Sequence, residues 1–439
     1  MRVLLLNQCF YPDVVSTAQH LTDLALELAD KGHEVTVVAS GRGYDNPEKR
    51  FAGREVWKGV TVMRIPCTGF GKKSRWRRAA DFGSFLASCA LRVAFLPKFD
   101  LVVAMTSPPL ISFLAALLVK LRGGRFVFWV MDLNPDEAIA AGWLPKRSAI
   151  ARFLESLLSY SLNRAERIIV LDRFVKQRII DKGVVQEKVL VIPPWSHDDA
   201  ISYDEPGRAR FRAEHELEDK FVVMYSGNHS PCHPLDTLLE AARALSVNRA
   251  IAFCFAGGGS EMEKVKASIA RDNLTNVLCL DYRPLDELAG SLSAADLHVV
   301  VMGDPFVGIV HPCKIYNILS VGSPLLYIGP PESHVSDIFS GTDDARNDGK
   351  YMFSASHGDV DAVVRHILDA ASRTRVGSGV RVPHSAAAAF SKQIILPRLM
   401  EALRPVCDAR TVFDPSIADS ETRRLQERTG VIKSGPCNG

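Results

Sequence analysis

Nine cysteines are spread along the chain and no two form a CxxC pair. The usual spacings of a zinc finger or a thioredoxin-like redox site are therefore missing. No apolar run reaches the ~18 to 20 residues that a membrane-crossing helix needs; the nearest, Phe82 to Leu96, is interrupted by Arg92. The opening stretch MRVLLLNQCF lacks the charged region, long apolar core and small-residue cleavage site of a signal peptide. The formal net charge is only +3, too small for a strongly nucleic-acid-binding protein, so an acidic ligand must be met by a local patch. These absences predict a cytoplasmic protein with reduced thiols and no nucleic-acid partner.

What is present is length and apolar content. A chain of 439 residues, 47% of them hydrophobic, is too long for one ordinary core and predicts two domains with a cleft between them. RVLLLN is a continuous apolar run, as expected of a strand buried on both faces of a parallel sheet. Leu21, Leu24, Ala25 and Leu28 follow at helical spacing, Gly32 stands at a C′ position, and EVTVVAS is the next strand, which completes a βαβ unit. The rhythm continues through DLVVAM, RFVFWVMD, RIIVLD and KVLVIP. It is interrupted by the proline- and acid-rich PPWSHDDAISYDEPG, then restarts with FVVMYSG, IAFCFAGGG, LHVVVM and PLLYIGP. Two successive alternations predict two Rossmann-like domains, with ligands beyond the carboxyl ends of the strands.

Four stretches stand at such ends. FAGGGSEMEKV places Gly257, Gly258 and Gly259 between strand and helix, where bare backbone N–H groups can approach a phosphate; the alternative is a tight turn. GNHSPCHPLD offers Gly227, Asn228, His229 and Ser230 to an anion; as a metal site it would use His229, Cys232 and His233, but Pro231 and Pro234 break the helical spacing such pairs need. Lys314 opens a helical pattern and is placed to neutralise a diphosphate, or else is a surface lysine. Asp132, just past RFVFWV, can position a sugar hydroxyl or act as a base, whereas Asp136 and Glu137 suit the first turn of a helix. Between the strands, KKSRWRR followed by an apolar run, Lys72 to Leu96, has the composition of a segment lying on an anionic membrane surface, and equally that of a buried helix after a basic turn.

Taken together, these residues resemble family 4 of the retaining glycosyltransferases of the GT-B fold, especially the bacterial branch that builds exopolysaccharide, O-antigen and capsule. The carrying stretches include NQCFYPDVVSTAQHL, FWVMDLNPDEAIAAGW, YSGNHSPCHPLDTLLEAA, FAGGGSEMEKV and HPCKIYNILSVGSPLLYIG. The resemblance implies an α/β protein with two Rossmann-like domains facing a central cleft. Its parts would be an acceptor domain over 1–195, a nucleotide-sugar donor domain over 196–385, a helix over 386–404 packing back on the first domain, and a loose tail over 405–439. It implies Asp132 as the catalytic residue, and Gly227, Asn228, His229, His233, Gly258, Gly259, Lys314, Tyr316 and Asn317 as the donor-binding set. Ser16 and Thr17 would form a phosphate loop on the acceptor side.

The implied reaction moves a sugar from a nucleotide diphosphate to a saccharide or polyprenyl-linked acceptor with retention, with no cofactor and no metal. The enzyme would be cytoplasmic and peripheral at the membrane. The sequence also departs from the resemblance: the two glutamates of the usual donor signature fall at Ile309 and Asn317, HSPCH replaces an Arg and a Lys, and VVST replaces a glycine pair. His at the cation positions would make diphosphate binding sensitive to pH. Alternative readings are a nonhydrolysing sugar-nucleotide epimerase, using Asp132 with Glu137, and a degenerate binding subunit.

Overall fold

The computed structural model describes residues 1–44, 46, 48–71, 75–197, 201–339, 352–373 and 384–405. The first sheet is built from β1 (Arg2–Leu6), β2 (Glu34–Ser40), β3 (Arg54–Trp57), β4 (Val60–Ile65), β5 (Leu101–Ala104), β6 (Arg125–Trp129), β7 (Arg167–Val170) and β8 (Val189–Val191). Their order is β3-β4-β2-β1-β5-β6-β7-β8, parallel except for the β3–β4 pair. The second sheet contains β9 (Phe221–Asn228), β10 (Ile251–Gly258), β11 (Val277–Leu280), β12 (Leu297–Val301), β13 (Leu325–Ile328) and β14 (Met352–Ala355). Its order is β11-β10-β9-β12-β13-β14, all parallel.

The central strands are apolar throughout because helices cover both faces: Leu4, Leu5, Val222, Met224, Val299 and Val300 have almost no exposed surface. In each sheet the chain order reverses beside the first strand, between β1 and β5 and between β9 and β12. Side chains and loops leaving these strands border a crevice, because adjacent connections run to opposite faces. The candidate residues at Gly227, Lys314 and Asp132 all sit at carboxyl ends around these reversals.

Residues 193–197 and 384–392 join the halves. Trp195 is buried and donates from Nε1 to Asp23 at 2.8 Å, Lys392 reaches the same carboxylate at 2.7 Å, and Ser196 N–H donates to the Phe390 carbonyl at 2.9 Å. The helix Lys392–Ala402 is thereby tied to the helix Ser16–Asp30 of the first half. Residues 403–439 form a separate unit, and the tail beyond Pro405 lies outside the described residues.

The segment from Lys72 to Leu96 resolves into faces. Lys72, Lys73 and Ser74 lie outside the described residues; the helix Arg75–Ala94 follows. Phe85, Cys89, Val93 and Leu96 enter the core at helical spacing, each large side chain contributing about 1.5–3 kcal/mol by burial, whereas Trp76, Leu91 and Phe95 are exposed. Among the described residues no helix is long and apolar enough to cross a membrane.

Candidate active site

The carboxyl ends of β9 and β10 meet backbone to backbone. Gly227 pairs with Gly257 and Asn228 with Gly258 in parallel register. Gly257 and Gly259 hold φ of +129° and +135°, and a Cβ at either would strike the carbonyl oxygen of Gly227 or of His229. Glycine is required here twice over, by the dihedral and by the space. Gly227, at φ +128°, has a different neighbour: a Cβ there would lie 3.3 Å from Cε and Nζ of Lys314.

Lys314 is the first residue of the helix Lys314–Ser320. Its ammonium sits over the Tyr225 ring, 3.6 Å from the centroid, and Nζ is buried with no hydrogen-bond partner among the described residues. Burial lowers its pKa to about 7. A cation stripped of water and left without an anion costs stability, and a ligand phosphate is the group that would repay it.

The histidines of the same loop behave differently from cations. His229 is buried, with Nδ1 2.9 Å from the Gly227 carbonyl and Nε2 unpartnered; burial, then Lys314, lowers it to about 4. His233 turns into the sheet, Nδ1 2.8 Å from the Val301 carbonyl, and burial followed by Lys314 lowers it to about 3. Both rings are neutral at neutral pH, which corrects the expectation that they titrate there in the manner of substitute cations. The His229 N–H donates to the Gly258 carbonyl at 2.8 Å, so this amide, expected to face an anion, is committed within the fold. Asn228 is exposed at the loop's edge, its Oδ1 against Gly259.

In the first half, Asp132 follows β6 and takes an N–H contact of 3.4 Å to the Thr106 hydroxyl. Burial and the neighbouring Glu137 raise its pKa to about 7, with Arg78 pulling the other way. Glu137 accepts from Asn134 Nδ2 at 3.0 Å, and the Cys232 thiol of the second half lies 3.9 Å from its other oxygen. Asp136 pairs with Lys182 at 2.8 Å and starts a short helix with Glu137, a structural role. Ser16 and Thr17 open the helix Ser16–Asp30, whose N-cap makes no side-chain hydrogen bond and whose first turn has no acid; Ala18 and Gln19 N–H donate to the Val15 carbonyl, which leaves those of Ser16 and Thr17 to an anion. Ser16 also contacts the Cys313 thiol of the second half. Beyond Gln8, Arg42, Arg78 and Phe82 border a cavity of about 50 Å³, room for a hydroxyl or a few waters rather than a whole sugar.

Two expected donor residues need correcting or qualifying. Tyr316 is 1% exposed and its hydroxyl is 2.7 Å from Nε2 of His311, so it serves the fold and not an open donor site. Asn317, half-buried, stands one turn along the same helix. Ile309 is buried and uses its carbonyl to accept from Leu133 N–H at 2.9 Å, joining the halves directly beside Asp132. The residues that sequence reasoning passed over are Asp172, His311 and His334. They lie in or beside stretches that carried the resemblance, but nothing in spacing pairs positions 139 residues apart.

Residues 17–195 match the glycosyl transferase 4-like domain. The chain is 24% identical over 340 residues to a protein of Escherichia coli (strain K12) named as a colanic acid biosynthesis glycosyl transferase, WcaI, covering 73% of this chain and 82% of that one. It is 26% identical over 264 residues to WbjE of Pseudomonas aeruginosa, named as a glycosyltransferase, covering 60% and 66% respectively. Among solved structures, Anabaena HepE in complex with UDP and glucose superposes with a TM-score of 0.67 at 16% identity, covering 92% of this chain and 99% of that one. These similarities place a glycosyl transferase 4-like domain at residues 17–195 and show the GT-B fold for the chain.

Proposed function

We propose that this GT-B glycosyltransferase transfers a sugar from a nucleoside-diphosphate donor, held by the second half, to a saccharide or lipid-linked acceptor held by the first. The setting we infer is cell-envelope polysaccharide synthesis at the cytoplasmic face of a membrane; it is supported by the relative WcaI, named for colanic acid biosynthesis, and by the helix Arg75–Ala94, which leaves Trp76, Leu91 and Phe95 exposed. The observation that carries the reading is Lys314: a buried ammonium with no hydrogen-bond partner among the described residues, beside a glycine that leaves the approach open.

In this reading the bond from the anomeric carbon to the diphosphate oxygen breaks while the acceptor oxygen bonds the same carbon on the same face, which retains configuration. The acceptor's proton passes to the departing diphosphate. Lys314 and the free N–H groups at Ser16 and Thr17 stabilise the charge that develops on the leaving group, which is where fixed charge accelerates a reaction most. Asp132, as a carboxylate, orients a sugar hydroxyl beside the reacting carbon. The neutral His229 and Asn228 line the donor side, and Asn317 takes the place of a ribose-binding carboxylate. No cofactor enters this step.

The test is a screen of nucleoside diphosphates by thermal shift, followed by transfer assays with the best-bound base and membrane extract as acceptor. Saturable binding with acceptor-dependent nucleotide release supports the reading. Epimer formation without acceptor would instead favour proton chemistry at the Asp132–Glu137 pair, the one arrangement that favours the epimerase alternative.

A further inference from the structure

We propose that Asp172, His311 and His334 form a divalent-metal site of the zinc class that clasps the two halves together. Asp172 follows β7 in the first half; His311 and His334 come from the loop before Lys314 and from the start of the helix His334–Phe339 in the second. One ligand atom from each lies within 4.8 Å of the others.

Three features distinguish this cluster from a chance gathering. The first is orientation from behind. Asp172 Oδ1 accepts from the N–H groups of Phe174 at 2.9 Å and Val175 at 2.8 Å, which leaves Oδ2 turned to the cluster. His311 Nε2 meets the Tyr316 hydroxyl at 2.7 Å while Nδ1 faces Asp172 Oδ2, also at 2.7 Å. A metal-binding histidine almost always has its second nitrogen held by such a partner. The second is an orphan: His334 is 4% exposed and its Nε2 has no hydrogen-bond partner among the described residues. A buried imidazole nitrogen left unpaired is costly, and coordination would satisfy it. The third is chemistry, since one carboxylate and two imidazoles suit Zn²⁺, Co²⁺ or Ni²⁺ rather than Mg²⁺ or Ca²⁺.

Metal capture balances simply. With the His311 ring in the tautomer that carries its proton on Nε2 and donates it to the Tyr316 hydroxyl, the Nδ1 lone pair binds the metal with Asp172 Oδ2 and His334 Nε2. Water completes four-coordination. The 2.7 Å contact of Asp172 Oδ2 with His311 Nδ1 opens, and the His311 and His334 rings, whose centroids are now 3.9 Å apart, shift so that the ligand atoms stand about 3.4 Å from one another, the separation set by bonds near 2.1 Å. The same elements are already joined by Arg173–Asp337 at 2.6 Å and by Arg178 Nε to the Val307 carbonyl at 2.9 Å. His311 lies three residues from Lys314, so the metal would also fix the loop that presents this cation.

The inference does not rest on the transfer reaction, and its test needs no activity. Full-length protein stripped with chelator is titrated with Zn²⁺ against a chromophoric competitor, and with Co²⁺ followed in the visible. The expected result is one equivalent bound per chain, a Co²⁺ spectrum with d–d bands and no thiolate charge-transfer band, and a rise in the thermal midpoint on adding Zn²⁺. H334Q, checked for folding by circular dichroism, should bind Zn²⁺ at least about tenfold more weakly. No stoichiometric binding, a thiolate band that assigns the metal to cysteine, or unchanged affinity in folded H334Q would each overturn the proposal. Should H334Q fail to fold, the wild-type Co²⁺ spectrum and thermal shift still decide it.

Discussion

The two halves share an architecture but prepare their strand ends in opposite ways. In the second, an ammonium is isolated: Lys314 Nζ is buried, has no hydrogen-bond partner among the described residues, and faces two histidines kept neutral by burial. In the first, a carboxyl is buried beside another: burial, and after it the neighbouring Glu137, raises the pKa of Asp132 to about 7. Each arrangement is strained without a ligand, and in opposite senses. The second half is built to receive an anion, the first to receive a group that hydrogen-bonds to a carboxyl. A polar site left incomplete is where binding energy can be gained.

Asp132→Asn should have the largest effect, lowering turnover by roughly 10²–10⁴-fold while donor affinity changes by less than about twofold; steady-state kinetics with separate donor titration checks it. Equal loss of donor affinity would mean that the two halves do not divide the work. Wild-type turnover should also fall as pH drops through about 7, because Asp132 then gains its proton.

Gly257→Ala should destabilise the fold by roughly 2–4 kcal/mol in chemical denaturation, since strain adds to a clash. Gly183→Ala, at φ +88° with open space around it, should cost only about 1–2 kcal/mol. Matching losses would show that the close contact between the β9 and β10 ends is not a constraint. Lys314→Met should weaken nucleoside-diphosphate binding roughly 10- to 100-fold yet raise the thermal midpoint of the ligand-free protein, because it removes an uncompensated buried charge.

The smallest effect is on stability against pH. His229 and His233 have folded pKa values of about 4 and about 3, below the ordinary 6.5. Their stabilisation is complete above pH 6.5 and is lost as pH falls below it. Lys314 also has a lowered folded value, so its cost is full below pH 7 and is relieved as pH rises towards 10.5. Denaturation midpoints across pH 4–9 should therefore rise through both windows, and H229N with H233N should flatten only the acid limb.

Much of the fold is legible in the sequence because strands covered on both faces leave apolar runs, and the glycines at 257 and 259 mark a contact that only backbone can make. Lys314 is legible as a cation at a helix start, though not its isolation, which depends on Tyr225 and Gly227 arriving from another strand. Tyr316 and His233 mislead because local pattern places them beside the site while tertiary packing turns their polar atoms inward, to His311 and to Val301. The cluster of Asp172, His311 and His334 is illegible for a related reason: its members belong to different halves and share no spacing.

In the proposed function Lys314 is held near neutrality until a diphosphate arrives. Calorimetry of UDP binding at pH 8.5, in buffers of differing ionisation enthalpy, measures it directly. A lysine lowered to about 7 is mostly uncharged at that pH and regains its proton beside the diphosphate, so the account predicts uptake of about one proton per ligand bound. Binding without proton uptake, or the same uptake in Lys314→Met, would contradict it.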